Sequence, residues 1–169
     1  MHFLLSLWCI FAVWKWADWR NWEKYHTVML YMALGNLTYN FLTYKHWLWK
    51  LKPDVFPDHV ATEIAYTFII FPATALLYLS KYPEGQSFWK QVRFMLRWVT
   101  IYVGMELIGA WTGRIIYQYG WNLAWSAFFD CIMFPMLRLY QVRPLLAYII
   151  SVGIATFFLM MFDIPLKMY

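Results

Sequence analysis

Apolar and polar positions alternate along this chain on a long wavelength. Six apolar runs, each near the length a helix needs to cross ~30 Å of hydrocarbon, are separated by short stretches rich in charge, proline and glycine. The first, His2–Trp16, is slightly short. It gives way to Asp18-Trp19-Arg20-Asn21-Trp22-Glu23-Lys24-Tyr25, a charged, aromatic link of interfacial character. The second run is Thr27–Tyr44. Lys45–Val60 is the longest polar connection, and Pro53 and Pro57 forbid a regular helix across it. Asp58 is placed to cap the third helix, Ala61–Leu79, and Phe71-Pro72 inside that helix predicts a kink. Lys81–Gln91 is a turn punctuated by Pro83-Glu84-Gly85. The fourth and fifth helices, Trp98–Tyr117 and Leu123–Leu139, form a hairpin about Gln118–Asn122. After Arg143-Pro144 the sixth, Leu145–Phe162, is stopped by Asp163-Ile164-Pro165.

Composition sets the class. Of the 169 residues 63% are hydrophobic, 23% aromatic and 14% charged, against roughly 25% charged in a soluble domain. The expected fold is an all-α integral membrane protein, a single bundle over residues 1–169 with about six transmembrane helices. The number falls to five if the N-terminal run lies along the interface, a depth that also suits Trp8, Trp14 and Trp16. That run does not read as a signal peptide, since no Lys or Arg precedes it and no A-x-A follows.

The net charge of +5 does not point to nucleic acid, because Lys and Arg sit at the ends of apolar runs. The linkers after helices one, three and five hold nine of them: Lys15, Arg20, Lys24, Lys81, Lys90, Arg93, Arg97, Arg138 and Arg143. The opposite side holds five: Lys45, Lys50, Lys52, Arg114 and Lys167. The excess assigns the first set to the cytoplasm and both termini to the outside. Lys90, Arg93 and Arg97, spaced by three and four, share a helix face and are expected to contact anionic lipid on the cytoplasmic side.

The chemistry sits in the hairpin. Glu106 lies thirteen residues before Tyr119 and Asp130 eleven after it. At ~1.5 Å rise per residue the two acids share a depth. Two carboxylates at one level in a low dielectric repel, so the pair is expected not to carry two negative charges at neutral pH. Either a proton is shared between them or a cation balances them. Arg114 is the nearest cation in the hairpin, but it is set about 80° around the axis from Glu106 at ~3.6 residues per turn, so proton sharing is the preferred expectation.

Asn36 and Asn40, four residues apart beside Gly35, complete the buried polar centre. They act as glue between helices, with Gly35 permitting close approach, or they line a solute path. His59 and Glu63 have the spacing of a divalent-metal pair, but no second pair matches it, and no metal or other cofactor is expected. Cys9 and Cys131 read as small buried hydrophobes. The chain has no Gly-rich phosphate loop, nucleophile elbow, CxxC or HExxH.

Trp16-Ala17-Asp18-Trp19 with Trp22 and Tyr25, Gly35-Asn36-Leu37 with Tyr39-Asn40-Phe41, and Tyr119-Gly120-Trp121-Asn122 with Trp125-Ser126 resemble an uncharacterised family of small multi-pass membrane proteins of spore-forming Firmicutes. The resemblance spans most of the chain. It implies a bacterial host and a cytoplasmic or spore membrane, and it carries no activity, substrate or cofactor.

Three functions compete. The foremost is a structural or interaction protein that binds lipid or a partner subunit. The alternative is a small solute or ion transporter or channel component lined by Asn36, Asn40, Glu106 and Asp130, small enough to need a homo-oligomer. The third is an intramembrane enzyme using the two acids as acid and base or as metal ligands. It lacks a nucleophile or histidine at their depth, because His2, His26, His46 and His59 fall near helix ends.

Overall fold

Without water in its interior, a strongly apolar chain must pair its backbone groups within itself, and each apolar run does so as a helix. The computed structural model describes residues 1–165. Its helices are α1 (His2–Trp16), α2 (His26–Leu42), α3 (His59–Ala65), α4 (Phe71–Ser80), α5 (Phe88–Trp111), α6 (Leu123–Val142) and α7 (Pro144–Met161). A short 3-10 segment, Trp19–Lys24, links α1 to α2. α3 and α4 form one rod, joined by a π-helical turn over Tyr66–Ile70. Three rods, His59–Ser80, Leu123–Val142 and Pro144–Met161, are long and apolar enough to cross a membrane, while α1 is a shorter apolar helix.

Among the described residues six rods run between two ends of the bundle. At one end His2 Nε2 lies 3.1 Å from the Lys52 carbonyl and Arg114 donates to the Pro53 carbonyl. At the other, the Asp18 N–H donates to Ser80 Oγ and Arg138 pairs with Glu84. α4 is the axis, buried at every position from Ala73 to Leu79. Tyr78 is wholly buried there, with ring centroids 5.3 Å from Phe94, 5.9 Å from Trp98 and 5.1 Å from Phe134. α7 is the opposite case: Leu145, Ile149, Val152 and Met160 all face outward.

The helix limits depart from expectation most in the fourth rod, where α5 begins at Phe88 and stops at Trp111. Lys90, Arg93 and Arg97 therefore lie inside the helix, not ahead of it. Gly113, at φ +67°, turns the chain out of α5. Ile115–Tyr117 then forms a strand, β2, that pairs antiparallel with β1 (Trp49–Leu51). Its register sets Trp49 against Tyr117, Lys50 against Ile116 and Leu51 against Ile115. The all-helical expectation thus gains a small sheet, built where β-branched and aromatic residues favour extension. Tyr39 of α2 fastens it. The Tyr39 hydroxyl donates to the Trp49 carbonyl (2.8 Å) and accepts from the Trp49 N–H (3.0 Å), and the two rings stack.

Several smaller expectations change as well. The feature at Phe71-Pro72 is a π turn: the Phe71 N–H reaches back five residues to the Tyr66 carbonyl, just before a proline with no N–H to give. α6 continues through Pro135 to Val142 instead of ending at Leu139. Gly35 is exposed with open space around it and mediates no close approach; Gly109 does, since a Cβ there would stand 2.6 Å from Ile115 Cδ1. Cys9 is buried but Cys131 is exposed. The Asp58 cap forms as the sequence indicates, accepting from the Ala61 N–H at 2.7 Å.

Candidate functional site

The polar residues singled out in the sequence do not converge on one centre. They divide between two seams. In the first, α2 meets α3. Asn36 and Asn40 stand one turn apart, and the amide of each donates to Glu63 Oε2, at 3.2 and 3.1 Å. The Asn36 amide also donates to Thr67 Oγ1 at 2.8 Å, and Thr67 returns its own hydrogen to the Glu63 carbonyl. Asn36 and Asn40 are therefore partners of Glu63 and not of Glu106 or Asp130. His59 Nδ1 lies 3.0 Å from the Leu51 carbonyl and 3.9 Å from Glu63 Oε1. That places the ring in a helix-to-strand contact. Among the described residues no group of three or more His, Cys, Asp or Glu is placed to hold a metal ion.

The second seam joins α5, β2 and α6. Residues two apart in a strand share a face, so Ile115 and Tyr117 both turn toward α5. Ile115 packs on Gly109, and Tyr117 reaches Glu106, donating its hydroxyl to Oε1 at 2.9 Å. Asn122 caps α6 by accepting from the Ala124 and Trp125 N–H groups. One turn into the helix, Ser126 accepts from Trp121 Nε1 (2.8 Å) and donates to the same Glu106 oxygen. Burial, followed by the nearby Glu106 carboxyl, pushes the Tyr117 phenol up, which keeps it a donor.

Asp130 lies one turn beyond Ser126. It is 4% exposed, and its Oδ2 has no hydrogen-bond partner. Tyr102 of α5 stands within electrostatic reach of it and donates to Thr74 Oγ1 of α4 at 2.6 Å. The direct proton-sharing bond expected between Glu106 and Asp130 is not formed. Glu106 takes its donors from Ser126 and Tyr117. Arg114 plays no part in balancing the acids, because its Nη1 donates to the Pro53 carbonyl at 2.8 Å.

Sequence reasoning missed Ser126, Tyr117, Tyr102 and His2. Ser126 precedes Asp130 by four residues and Tyr102 precedes Glu106 by four, so helical spacing held the signal for those two. Nothing local marks Tyr117 as a strand residue facing back on α5. His2, at a helix end as expected, is nonetheless fully buried, with Nδ1 2.9 Å from the Tyr66 hydroxyl. Beside it the Met1 ammonium pairs with Asp54. Burial pushes the Asp54 carboxyl up, but hydrogen bonds from that ammonium and from the Val55 N–H outweigh it and hold the group well below the usual carboxylate range.

Lys90, Arg93 and Arg97 are all exposed on the first half of α5, next to outward-facing Phe88 and Trp89. Among the described residues none of the three forms an ion pair. Two open surface hollows are apolar. One is lined by Pro135, Met136, Leu139 and Val142 with two arginines, the other by Leu107, Ile108, Ala110 and Trp111. Neither is lined by an acid. Comparison with protein families, characterised proteins and solved structures finds no match to this chain.

Glu63 gives a test of the first seam. Glu63→Gln keeps a side-chain oxygen for both asparagine amides and is expected to unfold close to wild type in detergent. Glu63→Leu strands the amides and is expected to lose ~1–3 kcal/mol for each unpaired group. Equal losses in the two variants would mean that the carboxylate charge, not the acceptor, holds the seam.

Proposed function

We propose that this chain is a small multi-pass protein of a bacterial cytoplasmic membrane whose role is structural: it holds lipid and a partner subunit and turns over no substrate. The observation that carries the reading is that two of its interior acids, Glu63 and Glu106, are held by hydrogen bonds between elements, with Asp130 the exception. Asn36 and Asn40 bond to Glu63, and Glu106 bonds to Ser126 and Tyr117. The outward faces of the rods, α7 above all, are apolar. Buried polar groups that bond across helices fix which helix packs on which.

In this reading all six rods cross the bilayer. α1 stands among them, with Cys9 and Ala12 buried and Cys9 packed against Ile70 and Ala73 of the central rod, which favours six crossings over five. Tryptophans gather at both ends, Trp16, Trp19, Trp22 and Trp89 at one and Trp47, Trp49, Trp111 and Trp121 at the other. The end rich in Lys and Arg is cytoplasmic and the β1–β2 end external. Lys167, part of the external set, lies outside the described residues. A bacterial host, with the spore membrane as a second location, follows from the resemblance noted above.

A transporter or channel component, completed by a homo-oligomer, is the second reading. Asp130 favours it, because an unpaired acid inside a spanning helix is expected to serve a function. An intramembrane enzyme using Glu106 and Asp130 as acid and base or as metal ligands is disfavoured: Glu106 is engaged by Tyr117 and Ser126 and forms no bond with Asp130.

Three outcomes are expected. In a chain lacking Cys9 and Cys131, the Val55→Cys variant should react with an impermeant thiol reagent on intact cells, and Gln86→Cys only after permeabilisation; the reverse pattern would invert the topology. Liposomes carrying the protein should hold an imposed pH or potassium gradient as long as empty ones do, and rapid collapse would replace the structural reading with transport. Exchanging Lys90, Arg93 and Arg97 together for Gln should lower anionic-lipid retention in native mass spectra, while the same exchange at Lys45, Lys50 and Lys52 should not. Equal effects would reduce the basic face of α5 to general anchoring.

A further inference from the structure

The two interior acids of the α5–α6 seam have unequal surroundings. Glu106 receives two hydroxyl donors on one oxygen, the setting that favours an anion. Asp130, one turn deeper, is 4% exposed, and its Oδ2 meets no donor. An ionised carboxylate there would leave one oxygen with neither water nor partner.

The titratable groups around it supply no positive charge. α5 presents Glu106 and Tyr102, and β2 presents Tyr117. Cys9 of α1 and Tyr66 of the π turn lie beyond Tyr102. α4 contributes Thr74, already bonded to Tyr102. α2 and α7 bring Tyr31 and Tyr148 to Tyr140, well along α6 toward its other end. Among the described residues no ion pair includes Asp130.

We propose that Asp130 is a reversible proton-binding site at the junction of α4, α5 and α6, occupied as the neutral acid. Taking up one proton removes the charge that nothing solvates and turns the unpartnered oxygen into a hydroxyl able to donate. The step is a simple protonation, carboxylate plus proton to carboxylic acid, with no electron transfer. The inference rests on the packing of this seam alone and stands whether the protein is structural or transports.

Infrared spectroscopy of the full chain in lipid tests it. At neutral pH the wild type should show a protonated-carboxyl stretch that Asp130→Asn removes and Glu106→Gln keeps. Raising the pH should abolish the band in one step, and lowering it should restore the band, with helical circular dichroism unchanged throughout. If Asp130→Asn fails to fold, wild-type protein grown with carboxyl-isotope-labelled aspartate makes the assignment: the band should shift with that label and not with labelled glutamate. Four outcomes would overturn the proposal: no such band, a band that follows Glu106, a band lost only on unfolding, or a band displaced at constant pH when sodium chloride replaces choline chloride. The last would make the site one for a metal cation.

Discussion

A polar group inside this bundle has no water to turn to, and most of the interior follows from that constraint. The hydroxyls of Ser6, Thr67, Ser80 and Ser151 each return to the carbonyl four residues earlier on their own helix. Side chains whose donors cannot be satisfied locally reach across: Asn36 and Asn40 to Glu63, Tyr117 and Ser126 to Glu106, Tyr102 to Thr74. The apolar faces then interdigitate around these contacts. Polar contacts choose the arrangement, and aromatic packing around Tyr78 fills it.

The same constraint explains how much of the fold could be read from the chain. Run length and hydropathy located the rods, and Asp58 marked a helix start because a short polar side chain there has one good use. The strand at Ile115–Tyr117 was hidden, since three apolar residues following an apolar helix look like more helix. Thr112-Gly113 was the stop signal, and only the φ of Gly113 gives it meaning. The start of α5 was set too late for the converse reason: the charge of Lys90, Arg93 and Arg97 put them at the entrance of a helix beginning at Trp98, and they lie inside one that begins at Phe88.

For the candidate site, membership was legible but partnership was not. Spacing placed Asn36 and Asn40 on one face, but the count that set Glu106 and Asp130 at one depth ran a helix through Tyr117; with α5 ending at Trp111, Glu106 meets Ser126, one turn short of Asp130. Direction around an axis depends, further, on how neighbouring helices rotate to pack. Glu63 stood next to His59 at a metal-like interval, which drew attention from its simpler use as an acceptor for two amides. Arg114 was measured as a helical neighbour of Glu106, and that measure lost its basis once α5 ended at Trp111.

The two-stranded sheet has a consequence for how the molecule is made. β1 precedes the third rod and β2 follows the fourth, so the pairing of Trp49 with Tyr117 joins segments synthesised far apart. Long-range contacts of this kind form late. Before β2 is in place, β1 is held by the Tyr39 hydroxyl at Trp49 and by His59 at the Leu51 carbonyl. In the six-crossing reading proposed above, a fourth rod inserted in the wrong direction would carry Ile115–Tyr117 to the opposite face of the membrane, ~30 Å away from its partner. In that reading, closure of the sheet would act as a check on orientation during biogenesis, made by three residue pairs at one end of the bundle.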